Sequence, residues 1–396
     1  MPASTLCTTS AVLVDGDDPV LTELNDVPAA PPGLIETIGT IPDPRKARGI
    51  RHPLPTVLLL AVAAVVAGAR SFAGIADWAT SCGRVLFEHT QMPHAQIPSE
   101  PTIRRLLEAV DADIFDRIVY AWIRLSPAMI HGHRVIACDG KTVRGARDND
   151  GDAPHLLAAM DHDSATVIGQ VDVAAKTNEI PRLADLLDQI DITGAVLTLD
   201  ALHTQRETIT DIIARGGHVV MTVKKNQPTL YAQCGDLPWK DIDGHSYTEH
   251  GRGRRTTRTI KACQVPAGLA SFPHVGQVIQ MRRTRTIAGK KTIELVYLIS
   301  DLDMAAAQPT QVADWVQGHW RIENQVHYVR DVTYREDASR VRTGSGPRVM
   351  ATLRNVAMGL HRAAGHTNIA AACRYYQLRI DEAIKLVLTS RTATLT

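Results

Sequence analysis

The sequence is short of several features that would assign a class at once. Its six cysteines (Cys7, Cys82, Cys138, Cys234, Cys263 and Cys373) lie far apart, and no two form a CxxC pair. A zinc ribbon and a dense disulfide framework are thereby excluded, and a reducing cytosol fits best. Net charge is almost absent: 43 Lys+Arg stand against 42 Asp+Glu, for a formal +1. Taken alone, that balance gives no sign of a nucleic-acid partner. The opening residues, MPASTLCTTSAVLVDGDDP, lack a basic stretch followed by an apolar core, so no secretory signal is expected. No apolar run suits a bilayer either. The longest, from Leu54 to Ala69, falls short of the roughly 20 residues a span needs and carries Pro55 and Thr56. It reads as a buried helix at the centre of a helical domain, and no membrane partner is expected. Internal repeats are missing as well.

What remains is an ordinary globular composition, 44% hydrophobic and 21% charged over 396 residues, with room for two or three domains. The charge is unevenly placed. Residues 1–45 hold seven acids and one base, Arg45, for −6. The first 32 positions read as an acidic flexible tail. Residues 246–295 invert the sign: ten bases, Arg252, Arg254 and Arg255 among them, face only Glu249 and Glu294, for +8. A solvated surface normally mixes signs, so this window is a candidate footprint for a phosphate backbone.

Hydrophobic periodicity divides the rest. Residues 33–130 read as a helical domain. Ser99 is an N-cap with Pro101 in the first turn, and Ile103, Leu106, Leu107 and Val110 leave Arg104 and Arg105 off the apolar face. Residues 131–345 read as an α/β core in which apolar strands end on Asp139 and Asp200. Strands at 155–160, 166–174 and 218–223 and helices at 179–190 and up to 215 alternate with them. Within this core, residues 241–300 read as an insertion of short strands with turn glycines. A helix from Val312 to Arg330 follows, and C-terminal helices fill residues 346–396.

Two buried strands side by side would bring Asp139 and Asp200 to one sheet edge, the donor set of a hard divalent ion such as Mg2+. Each could equally cap a turn. Glu323 is a third acid, on the flank of the stripe formed by Trp315, Ile322, Val326 and Val329. His319, His327 and Arg330 lie four or seven residues away on the same side. That suits a metal-and-phosphate site, or a solvated face with ion pairs. A transition-metal site from His319, Glu323 and His327 lacks the HExxH pattern. Gly140, Lys141 and Thr142 do not make a phosphate-binding loop, because Val135 stands where its first glycine belongs.

These residues carry a resemblance. DGKTVRGA (139–146), KTNEI (176–180), LTLDA (197–201), KKNQP (224–228), HWRIEN (319–324), HYVRDVT (327–333) and EDASR (336–340), in that order, resemble the transposases of ISAs-type insertion sequences. IPDPR (41–45), HPL (52–54), AGA (67–69) and Pro98-Ser99 with Thr102 to Arg104 resemble the helical domain associated with them. The resemblance covers residues 33–390. It implies an α/β fold: an RNase-H-like mixed-sheet core with a β-rich insertion, an N-terminal helical domain and C-terminal helices. It also implies a DDE triad of Asp139, Asp200 and Glu323 holding two Mg2+ ions, with Mn2+ as a workable substitute. The wider group's Tyr-x2-Arg-x3-Glu-x6-Lys signature falls on Val316, His319, Glu323 and Arg330, so its Tyr and first Arg are replaced and Arg stands for Lys.

By the same resemblance, His319, His327 and Arg330, with Arg321 and Asn324 beside them, would position the scissile phosphate or support Glu323. Lys141 and Arg144 would contact DNA or order the site; Lys225, Asn226 and Gln227, and likewise Lys176, Asn178 and Glu179, would do the same or could equally form turns. Terminal-repeat recognition would fall to Arg104 and Arg105 and to the basic window with Arg252, Arg254 and Arg255. The implied partners are double-stranded DNA, both terminal inverted repeats and target, and a second copy of the chain in the DNA complex. The implied setting is a prokaryotic cytoplasm, at the nucleoid. A DNA-binding regulator without transposition and an RNase-H-like nuclease that cuts without joining are the rival readings.

Overall fold

The computed structural model describes residues 33–90, 96–124, 133–147, 151–173, 178–251, 253–265, 269 and 271–389. The expected acidic tail, Lys176 and Arg252 lie outside the described residues. Five helices come first: α1 (Leu34–Gly39), α2 (Leu54–Val66), α3 (Phe72–His89), α4 (Glu100–Ala109) and α5 (Ala112–Ile123). Every residue of α2 except Pro55 is buried. A helix apolar on all sides has no solvent face, so α2 becomes the centre of the helical core, where each fully buried Leu or Val contributes roughly 1.5–3 kcal/mol. No helix among the described residues is long and apolar enough to cross a membrane.

The α/β part runs β1 (Val135–Thr142), β2 (His155–Asp161), β3 (Val167–Val173), α6 (Glu179–Leu187), β4 (Val196–Leu199), α7 (Arg206–Ala214), β5 (His218–Val223) and α8 (Pro228–Gly235). Four more strands follow: β6 (His245–Gly251), β7 (Arg254–Gln264), β8 (Gln277–Ile287) and β9 (Lys290–Ser300). All nine form one mixed sheet in the order β3-β2-β1-β4-β5-β9-β8-β7-β6. β1 is antiparallel to β2 and parallel to β4, β4 is parallel to β5, and β5 is antiparallel to β9.

The helix expected over 312–330 is longer and broken in kind. It comprises α9 (Pro309–Arg321), a π-helical turn (Ile322–His327) and α10 (Tyr328–Val332). The chain closes with α11 (Gly346–Ala363), α12 (Ile369–Leu378) and α13 (Ile380–Thr389). α11 packs on α2 and α5, and α13 on α2 and α3, so the N-terminal and C-terminal helices share one hydrophobic core.

Strand alternation decides what faces the site. Val135 of β1, Val196 of β4 and Val220 of β5 pack with α9. Asp139 and Thr198 have the same parity and point to that face. Ile136, Cys138, Leu197 and Leu199 point the other way, into the core shared with Leu183 and Leu186 of α6 and Ile209 of α7.

The short strands expected over 241–300 are instead long ribbons, and this corrects the sequence reading. β7, β8 and β9 have eleven residues each and pair along their whole length. The outer halves of β7 and β8 are rich in Arg and Thr, and that of β9 carries Ile293 and Leu295 exposed, while Ile260, Ile279 and Leu298 anchor the inner ends in the core. Only Tyr297–Ser300 of β9 pairs with β5, so the other seven residues carry an arm beyond the core sheet.

Candidate metal centre beside an arginine groove

β1 and β4 are parallel with Cys138 opposite Leu199, which sets Asp139 beside Asp200, the next residue on each. The strand expected to end on Asp139 continues to Thr142, held by β2, whereas β4 stops at Leu199. Oδ1 of Asp200 then accepts the backbone N–H of Leu202 at 2.9 Å and of His203 at 3.4 Å. Burial pushes the Asp139 carboxyl up to about 6. His327 opposes that shift, and the negative charges of Glu179 and Asp200 add to it.

Glu323 and His327 both come from the π turn. Nδ1 of His327 is 3.0 Å from Glu323 Oε2 and 3.7 Å from Asp139 Oδ2. That hydrogen bond is the main reason the Glu323 carboxyl titrates below its ordinary value. The ligand atoms of Asp139, Glu323 and His327 lie within 4.8 Å of one another. Nε2 of His327 is buried and makes no hydrogen bond. Two carboxylates and an imidazole at this spacing fit a divalent cation, Mn2+ and Mg2+ included. A π turn is one residue wider than an α turn and recurs at functional sites.

The other expected site residues divide. His319 lies behind the acids, with Nδ1 3.1 Å from Thr198 Oγ1, which also meets His162 Nε2 at 3.2 Å. Burial pushes both imidazoles down, His162 to about 3, so they sit there neutral. Arg330 is not at the site, which corrects the expectation. It is fully buried, with Nε 3.0 and 2.9 Å from the two oxygens of Glu336, and Arg354 meets the same carboxylate at 2.7 Å. Seven residues would return to the same side of an ideal α-helix, but the wider π turn rotates Arg330 away from Glu323.

Lys141 is paired at 2.7 Å with Asp331 of α10, and Arg144 is exposed nearby; both charges act on Glu323. Asn178 caps α6 through Ile180 N, and Lys225 is exposed. Asn226 Nδ2 donates to Ala201 O at 2.7 Å and Gln227 Nε2 to Thr204 O at 2.9 Å, so both fasten the loop after Asp200. Arg104 pairs with Glu100 on the exposed side of α4, and Arg105 is exposed beside it.

A groove of about 1030 Å³ lies between the arm and the α9–π helix. Arg254, Arg258, Arg283 and Arg285 line one wall, and Trp320, Arg321 and Asn324 the other. Arg258 is paired with Glu249 and Arg283 with Glu294, the two acids of the basic window. Arg255, one residue on from Arg254, points to the opposite face of the arm.

Glu179, open in the sequence between a site residue and a turn, belongs to a further cluster. His155 and His203 both contact Glu179, whose carboxyl is held down at about 2: burial raises it, and the two imidazoles outweigh that. Its only signal was the acid of KTNEI (176–180).

Comparison with known proteins fits this geometry. A family model described as Transposase DDE domain matches residues 130–360, and one described as DDE_Tnp_1-associated matches residues 35–123. The chain belongs to the DDE transposase family. Among relatives of this transposase, "Putative transposase YncI" of Escherichia coli O157:H7 is 29% identical over 344 residues, 83% of this chain and 87% of that one. "H repeat-associated putative transposase YhhI" of Escherichia coli K12 is 29% identical over 343 residues, 83% and 89%. A solved piggyBac transposase synaptic complex with hairpin DNA aligns over 92% of this transposase and 80% of that chain, with a TM-score of 0.43 and 11% identity. At that distance it carries no argument.

Proposed function

We propose that this DDE transposase cleaves the ends of an insertion sequence and joins them to target DNA, using Asp139, Asp200 and Glu323 as its triad in an RNase-H-like core. The observation that carries the reading is the convergence of Asp139, Glu323 and His327 within ligand distance, beside Asp200, with Glu323 flanked in sequence by Arg321 and Asn324 of an arginine-lined groove. The strand order β3-β2-β1-β4-β5, with its antiparallel first three strands and parallel last three, supports the RNase-H-like assignment.

Divalent ions bound there, two Mg2+ by the family resemblance, would activate water or a DNA 3′-hydroxyl and stabilise the leaving oxygen. Asp139 stands between the other two acids and would contribute to both ion positions. Asp200, held by two backbone N–H groups, and Glu323, held by His327, would each complete one side. The groove arginines would bind phosphates on the incoming strand, which concentrates positive charge where the acids alone would repel DNA. The neutral His162 and His319 hydrogen-bond Thr198 behind the acids and add no competing charge. Two copies of the chain would act together in the DNA complex.

The test is purified protein with Mg2+, labelled terminal-repeat DNA and a target plasmid. Joined product is expected. Nicks without joining would indicate the nuclease reading, and binding without nicks the regulator. Asp139→Ala, Asp200→Ala and Glu323→Gln should each lower cleavage on the order of 10³-fold, several kcal/mol of transition-state stabilisation, with DNA binding retained. Full activity in any one of them would sink the triad.

A further inference from the structure

A chain of hydrogen bonds links the Asp139 strand to the Asp200 loop, and the chemistry above does not use it. Thr142, the last residue of β1, has Oγ1 2.8 Å from Nδ1 of His155, the first residue of β2. Nε2 of that ring is 2.7 Å from Glu179 Oε1. The other carboxylate oxygen, Oε2, is 3.1 Å from Nε2 of His203, whose backbone N–H reaches Asp200 at 3.4 Å. Glu179 therefore stands between the two acid-bearing elements, on the first turn of α6. It fills the space beside β1 so closely that a Cβ on Gly140 would collide with its carboxylate and with the His155 ring. The glycine following Asp139 is explained by this contact.

Two imidazoles and a carboxylate make a metal-like donor set, but the spacing is wrong. Among the described residues, the grouping whose ligand atoms all lie within 4.8 Å is Asp139, Glu323 and His327, and the Glu179 trio does not meet that spacing. Glu179 is ionised well below neutral pH. It can therefore accept a hydrogen bond from each ring, His155 and His203 both donating from Nε2–H. The Thr142 hydroxyl then donates to Nδ1 of His155.

We infer that Glu179 is a positioning residue: by accepting from both rings it fixes the separation of the Asp139 strand and the Asp200 loop before cations arrive. The inference rests on the triad reading. Preorganised acids need no rearrangement on binding, and groups that orient metal ligands affect metal affinity by about 10–100-fold.

The test uses the full chain and Mn2+ as the probe, with binding followed by electron paramagnetic resonance in the absence of DNA, beside Mg2+ titrations of end cleavage. Glu179→Gln keeps the size but offers one oxygen, so it should weaken Mn2+ binding and raise the half-saturating Mg2+ about tenfold. The fold, followed by circular dichroism, and DNA affinity should be retained. His203→Gln leaves its backbone N–H on Asp200 and should give a similar shift, and the double variant should be no worse than either alone, because the two residues form one link. Wild-type Mn2+ affinity in folded Glu179→Gln, or additive losses in the double variant, would overturn the inference. Asp139→Ala runs alongside: if it binds Mn2+ like the wild type, the triad reading fails, whatever Glu179 does.

Discussion

Two acids near the long interrupted helix behave in opposite ways. Glu336 is fully buried, yet its carboxyl is held down at about 2, because burial is outweighed by the Arg330 and Arg354 guanidiniums. Asp139 keeps 31% of its side chain exposed and is nonetheless pushed up to about 6. Burial alone does not decide the sign; the partners do. Glu336 has two fixed cations and is a structural acid. Asp139 has Asp200 and Glu179 within range and one imidazole against them, so its surroundings are short of positive charge, which an added cation would provide. The two environments are also joined. Gly145, from the DGKTVRGA stretch, presses on the backbone carbonyls of Glu336, Asp337 and Ser339 so tightly that no side chain would fit.

The largest way to break this contrast is Glu336→Ala. It strands two buried guanidiniums and should cost about 3–5 kcal/mol in denaturant unfolding. A loss under about 1 kcal/mol would mean that the two arginines find other partners.

Acid separates the two acids next. Asp139, with its raised value, takes a proton as pH falls below about 6, so cleavage at subsaturating Mg2+ should drop about tenfold per pH unit there. The depressed Glu336 contributes stability that is complete above its ordinary value near 4.5 and is lost as pH falls through about 2. Circular dichroism should therefore report an intact fold at pH 5 while activity is down about tenfold. Joint loss of fold and activity at pH 5 would contradict the assignment.

On the arm, Arg254→Ala should weaken DNA binding and flatten its log-log salt dependence by about one unit. Arg255→Ala, on the other face, should change it less. Equal effects would place DNA on both faces. The smallest effect concerns Asp139 itself. Asp139→Asn removes a strained charge and should stabilise the ion-free protein at pH 7.5 by about 1 kcal/mol, discounted for exposure. That is a rise of about 2 °C in calorimetry. A fall would mean that the acids do not repel one another in the ion-free state.

Much of the candidate site was legible because strand ends and motif order carry it. Asp139 and Asp200 became neighbours through two parallel strands whose apolar runs were plain in the sequence. Arg330 was misplaced because i+7 reasoning assumes an ideal α-helix, and nothing in IENQVH (322–327) announces a π turn. Glu179 stayed open between a site role and a turn because its partners, His155 and His203, lie 24 residues away on either side, and the fold brings them together. The arm strands looked short because Arg and Thr dominate β7 and β8 there, and their buried apolar anchors lie at the inner ends.

β9 pairs with β5 of the core at its root and with β8 of the arm along its whole length, which makes it a ruler. At its tip, Ala288 and Gly289 turn with positive φ, and residues gained or lost there change only the arm's reach. At its root the arithmetic differs. Removing one residue among Tyr297–Ser300 would invert the parity of the outboard part of β9 and turn Ile293 and Leu295 toward α9. Length variation among relatives should therefore be free at the tip and confined to pairs of residues at the root.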